Sequence, residues 1–304
     1  MADPPTYRSG STSVEAENRA SSPEESAAAL EFLQRLAAEI SLGEVDLPCF
    51  PNIVVRISEA LMDPGATADR IVTVVGAEPR LAARITQTAN SAAFNATGKP
   101  VTELRSAITR VGHHMVQSIA ISYAIQQMEH EESLRSIARE LSRLWERSIA
   151  VASLCQLVAE RTKVHTDVAF LTGLLHGIGS LYIMARAAVG QPAAGDRRAW
   201  LELLGGWQAS IGKAILENWG FPEEMCDAVA DQLDHDRRWK HDATLTDVMI
   251  VSLVLADALD APEPRTVETT GINAFASVGL TPVDCEATLV RATGRIAAVH
   301  AALG

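Results

Sequence analysis

Positive charge is scarce in this 304-residue chain, which sets 26 Lys and Arg against 38 Asp and Glu for a net charge of -12. A dedicated nucleic-acid binder would normally carry a basic stripe, so nucleic acid is excluded from the expected partners. Lysine is rarer still, found at 99, 163, 213 and 240, with Arg supplying the other 22 basic residues, a bias that reads as a GC-rich bacterial genome. Cysteines stand alone at 49, 155, 226 and 285 without a CxxC pair. No leader of basic, apolar and small-residue regions opens the chain, and together these absences point to reducing cytoplasm. There is no run of 18 apolar residues, since the most hydrophobic stretch, 248–258, follows Asp247 and is interrupted by Ser252 and Asp257. A membrane span is not expected. Strand signals are also few: Ile71 to Val75 is β-branched, but Thr67 before it and Gly76 after it frame a helix.

What remains is a helical pattern in a soluble composition of 47% hydrophobic and 21% charged residues. Residues 1–22 are Ser, Glu, Pro and Ala with almost no large apolar side chain, and they read as a disordered tail. Ser22-Pro23-Glu24-Glu25 is a capping box opening a helix whose Leu30, Leu33, Leu36 and Ile40 share a face, within an N-terminal unit at 23–44. Pro51 opens a second helix closed by Asp63-Pro64-Gly65. Thr67 caps a third, Pro79 opens a fourth, Thr102 caps a fifth, and 113–128 continues the series. A single long helix is expected over 131–161, with Leu134, Ile137, Leu141, Leu144, Trp145 and Ser148 advancing by threes and fours. Thr166 starts another that runs through Ile178, then 190–195 is a loop. Further helices are expected near 197–218, 222–234 and 246–260, and Thr281-Pro282 opens a last one. Trp145, Trp207 and Trp219 read as core or interhelix anchors. The fold class is all-α: two packed helical halves at 45–130 and 131–260, then a helical extension at 261–304.

Several of these segments together resemble the HDOD domain family. The first half does so through Leu47-Pro48-Cys49-Phe50-Pro51, Glu78-Pro79-Arg80-Leu81, Asn90-Ser91 and the 107–112 segment. The second half does so through Trp145, Ser148, the run Gly173-Leu174-Leu175-His176-Gly177-Ile178-Gly179, Gly212, Trp219, Pro222 and Ala256-Asp257. The similarity spans about 45–260. HDOD domains are similar to HD-domain phosphohydrolases, whose metal is held by a first His, an adjacent His-Asp pair and a later Asp and makes a bound water nucleophilic. The resemblance sets Arg147 at the first His, His176-Gly177 at the His-Asp pair, Asp257 at the later Asp, and Gln232-Leu233 where a His-His pair would fall.

Two ligands beside a permanent cation do not form a competent set, so neither a metal, a cofactor nor hydrolysis is expected. A slip of three residues would bring His235 to the metal position, yet 234–242 carries so many charges that it reads as a solvated helix end. Adjacent His113 and His114 point about 100° apart on a helix and cannot easily share a metal. Asn90 and Ser91 read as pinning a loop, since no base stands beside Ser91. Arg147 is expected to form an internal ion pair with Asp257, the alternative being a phosphate of a small ligand. The resemblance implies a bacterial signalling scaffold binding regulatory proteins, such as cyclic di-GMP enzymes or a histidine kinase. The alternatives are a divergent HD-type phosphodiesterase using His176, His235 and Asp257, and a receptor binding a nucleotide through Arg147.

Overall fold

The structure, a computed structural model, describes residues 31–39, 42, 47, 52–62, 68–91, 94–95, 98–190, 205–238, 242–261, 267 and 269–303. The expected tail, the Ser22 capping box, Pro48, Cys49, Pro51, the Asp63-Pro64-Gly65 stop, Thr67 and the 191–195 loop lie outside the described residues. Within them the fold is all-α, with no strand. We number the helices α1 (31–39), α2 (Asn52–Met62), α3 (Ala68–Gly76), α4 (Pro79–Ala89), α5 (Leu104–Val111), α6 (His113–Glu129), α7 (Ala138–Ala159) and α8 (Thr166–Leu175). They continue as α9 (Ile178–Gly190), α10 (Gln208–Asn218), α11 (Glu223–Ala230), α12 (Leu245–Leu259), α13 (Asn273–Val278) and α14 (Pro282–Leu303).

Helices α2 to α6 form one half and α7 to α12 the other. The halves meet where α6 packs on α7 and α8, and α14 lies along α7 while touching α6 and α12. Helix α6 is buried on nearly every face, from Val116 to Ile125, as a helix between two layers must be. Pro79 begins α4, where its missing N–H costs nothing. Gly112, at φ +82°, turns the chain between α5 and α6, a conformation that glycine adopts without penalty. The carbonyl of Leu303, at the end of α14, accepts from Arg84 on α4 and from Ser122 and Gln126 on α6, at 2.5, 2.6 and 3.0 Å.

Four expectations need correction. The stretch 131–161 is not one helix: Glu132–Ile137 is a 3₁₀ turn ahead of α7. Its two buried side chains, Leu134 and Ile137, are three residues apart, and the 3₁₀ period of three puts them on one line. The helix from Thr166 stops at Leu175 and restarts at Ile178, broken at His176 and Gly177. Thr102 is not a cap, because Glu103 holds the N-cap of α5 without a side-chain bond. The helix near 222–234 ends at Ala230, after which the Gln232 side chain donates to the carbonyl of Val229 at 2.8 Å. Trp145 and Trp219 are buried, whereas Trp207 is half exposed at the start of α10.

By length and composition, α8 and α9 together (Thr166–Val189) are apolar enough to cross a membrane, a stretch that the charge-based reading of 248–258 passes over. Most of it is buried inside the protein, where it forms the centre of the second half.

Candidate functional site

Three glycines of the 173–179 run fix the site by letting backbones approach. A Cβ on Gly173 would meet the Ala152 Cα at 2.7 Å and the Cys155 Sγ at 3.0 Å, so only glycine lets α8 lie this close to α7. On Gly179 it would stand 1.9 Å from the Gln208 carbonyl oxygen and 2.8 Å from the Gly212 nitrogen, where α9 crosses α10. On Gly177 it would meet the Leu144 Cδ1 at 2.7 Å. These contacts set the break at 176–177 against α7, and α12 packs on both α7 and α8.

His176 is buried at the end of α8, and its Nδ1 donates to the Gly173 carbonyl at 2.8 Å. One of the carbonyls that every helix end leaves open is thereby satisfied by the ring. The backbone carbonyl of His176 accepts from Gln232 at 3.3 Å, and Gln232 is itself buried. Burial pushes the His176 pKa down to about 4; the Gly173 bond opposes that, Arg147 adds to it and Asp257 opposes it. The ring is therefore neutral at pH 7, with its proton on Nδ1 and a lone pair on Nε2.

Above it, Arg147 on α7 reaches the end of α12. Its Nη2 donates to the Asp257 Oδ1 at 2.7 Å and its Nη1 to the Asp260 Oδ2 at 3.0 Å. The three residues singled out in the sequence, Arg147, His176 and Asp257, thus lie together. The ion pair is not internal, however: the side chains of Arg147, Asp257 and Asp260 are 33%, 68% and 66% exposed. Such a pair contributes less than about 1 kcal/mol. Its charges act on the His176 ring, Arg147 lowering its pKa and Asp257 raising it, more than the pair holds the fold.

This donor set does not fit a divalent metal. His176 has the tautomer of a ligand, with Nδ1 bonded to a carbonyl and Nε2 open. The other positions offer a guanidinium, a glycine without a side chain, and a carboxylate already bonded to that guanidinium. Among the described residues no group of three or more His, Cys, Asp or Glu is placed to hold an ion. His235 is exposed in the turn after α11, and His241 lies outside the described residues.

The remaining motif residues hold structure. Asn90 donates to the Val101 carbonyl at 2.7 Å and accepts from the Val101 amide at 2.8 Å, and Ser91 donates to the Thr88 carbonyl at 2.7 Å. Gly212 faces Gly179, Trp219 is buried, and Pro222 is the N-cap of α11. The sequence reading missed Asp260, although Asp257 and Asp260 are three apart on one helix and so share a face. It also gave Gln232 no part. A larger cleft of about 560 Å³ lies at the other end of α8, lined by Lys163, His165, Asp227, Asp231, Arg237 and Thr244.

The HDOD domain family matches residues 47–235. Among solved structures, a candidate metal-dependent phosphohydrolase from Shewanella amazonensis SB2B is 24% identical, with a TM-score of 0.66, covering 90% of this chain and 99% of that one. A candidate signal transduction protein from Marinobacter aquaeolei VT8 is 21% identical, with a TM-score of 0.56, covering 92% of this chain and 66% of that one. At these identities the likeness is one of fold. An uncharacterized protein of Treponema pallidum (strain Nichols) is 25% identical over 149 residues, which are 48% of this chain and 28% of that protein. The chain thus spans under a third of the length of the curated relative it matches.

Proposed function

Because the chain belongs to the HDOD domain family, we propose that it is a non-catalytic signal-transduction scaffold. In this reading an all-α body binds other regulatory proteins in the bacterial cytoplasm, within a cyclic di-GMP, two-component or motility network. The observation that carries it is the bond of the Arg147 guanidinium to Asp257 at 2.7 Å; the resemblance sets Arg147 at the place of the first metal-binding His of HD-domain phosphohydrolases. A cation built into the chain occupies the one carboxylate left from the set, and that carboxylate would otherwise draw a metal. Leu144 fills the space in front of Gly177, so an aspartate there would have to displace it.

A nucleotide receptor working through Arg147 is the weaker reading, since both guanidinium arms already face carboxylates at 2.7 and 3.0 Å. A phosphate would have to displace two anions to reach a planar fork that is already satisfied.

The test is elemental analysis of the purified protein, with phosphodiesterase activity assayed after addition of Mn²⁺, Fe²⁺, Zn²⁺ or Mg²⁺. The scaffold reading expects neither retained metal nor turnover. Near-stoichiometric metal with turnover that vanishes in His176→Ala would make the protein an enzyme. A stoichiometric nucleotide affinity that collapses in Arg147→Ala, with the fold intact, would make it a receptor.

A further inference from the structure

Helix α14 lies outside the residues matched to the family, and one of its faces is finished as if for contact. Its inner face, with Cys285, Thr288 and Ala292, is buried against the body. Its outer face carries Val283, Ala287, Val290, Gly294, Ala297 and Ala301, all exposed, Val283 and Val290 at 76% and 77%. The steps between them alternate four and three residues, the heptad spacing of a helix that packs along another helix. Gly294 sits inside a 22-residue helix, where glycine costs about 1 kcal/mol relative to alanine. A Cβ there would meet nothing within 4 Å, so this chain's own packing does not call for the glycine.

We propose that this face binds a second copy of the same face, antiparallel, about a two-fold axis passing close to Ala292. In that register Val290 stands opposite Gly294 of the other copy, Ala287 opposite Ala297, and Val283 opposite Ala301. Each valine meets a small residue, and the arrangement is its own complement, as an isologous contact requires. Gly294 then has a purpose: it receives the valine and lets the backbones approach to the short end of the 8–10 Å interaxial range.

The charges favour a second copy over another partner. In a chain of net charge -12, this strip offers neither an acidic row for a basic partner nor a basic row for an acidic one. Glu286 and His300, both exposed on its flank, come opposite each other across the two-fold. Arg291 would meet its own copy near the axis, but it is already neutralised by Glu160 at 2.6 Å. Asp284 is likewise taken by Arg161 at 2.9 Å. Antiparallel helices also oppose their dipoles.

The contact runs about 27 Å, the rise of the turns from Val283 to Ala301. One helix pair of that length falls short of the roughly 1,200–2,000 Å² of a standard interface, so the dimer dissociates in the micromolar range. Sedimentation of the full chain from about 1 to about 300 μM should show the average mass rising from 32.5 kDa toward twice that. Val290→Glu, at an exposed position, should weaken association at least tenfold. Gly294→Val should do the same while leaving helix content unchanged, because valine is the better helix former. Mixing Val290→Gly with Gly294→Val should restore association, since each contact in the mixed dimer again pairs a valine with a glycine. A wild-type chain that stays monomeric at the highest concentration overturns the proposal. So do dimers indifferent to both single substitutions, and a mixture that fails to recover.

Discussion

Replacing His176 by asparagine should remove most of a stability loss that the wild-type protein suffers in mild acid. The folded state holds this imidazole neutral, with its pKa pushed from 6.5 down to about 4, first by burial. In the unfolded chain the ring takes up a proton near pH 6.5, so below that pH the unfolded state binds more protons and folding weakens. The stability is fully present above pH 6.5, is lost as the pH falls toward 4, and levels off below. At about 1.4 kcal/mol per pH unit, the full linkage is about 3 kcal/mol, of which about 2.5 kcal/mol is lost by pH 4.5. His176→Asn keeps an amide donor near the Gly173 carbonyl and titrates nowhere in this range. Urea unfolding of both proteins at pH 7.5 and 4.5 isolates the effect, because the other seven histidines are common to both. The wild type should lose about 2.5 kcal/mol more than the variant across that interval. Parallel losses, within about 0.5 kcal/mol, would mean that the folded ring protonates normally, and the burial argument would be wrong.

Three other substitutions probe the site and its frame. Gly179→Ala drives a methyl group into the Gln208 carbonyl, a backbone clash that no rotamer relieves. It should cost about 3 kcal/mol or more and lower the melting temperature by about 6–10 °C. Gly76→Ala meets only Leu104 at 3.7 Å and should be neutral or stabilising by up to about 1 kcal/mol, so equal melting temperatures for the two variants would refute the crossing. Arg147→Ala should cost less than about 1 kcal/mol at neutral pH yet raise the His176 pKa, since it removes a repelling charge and leaves Asp257 in place; NMR titration of the ring reads the shift, and a fall would contradict the geometry. Asn90→Ala breaks both bonds to Val101 and should cost about 1–3 kcal/mol, with faster hydrogen exchange at the Val101 amide as its local signature.

The all-α class was legible because helix starts and stops are local chemistry. Pro79 and Gly112 are written beside the helix ends they set. The break at His176-Gly177 was not legible in the same way. Both flanks are apolar and helix-forming, and what stops the helix is the imidazole bonding back to Gly173 while α7 presses on Gly177. Arg147 and Asp257 met as the residue types suggested, but whether they meet inside or at the surface depends on how far α12 extends past the core, which periodicity does not encode. Gln232 was placed in the right region and given no part, since its two acceptors are backbone carbonyls that carry no sequence signal. The segment from Thr281-Pro282 was read only as a last helix, because the sequence does not say which side of it is covered; burial does.

The clasp on the Leu303 carbonyl bears on how the protein is made. Its donors, Arg84, Ser122 and Gln126, precede the acceptor by 219, 181 and 177 residues. A ribosome adding about 5–20 residues per second delivers Leu303 some 10–40 s after Arg84. Throughout that time the first helical half exists without this hydrogen-bond acceptor. Its surface between α4 and α6 is completed by a residue translated well after both helices, so this half locks only once α14 has been delivered.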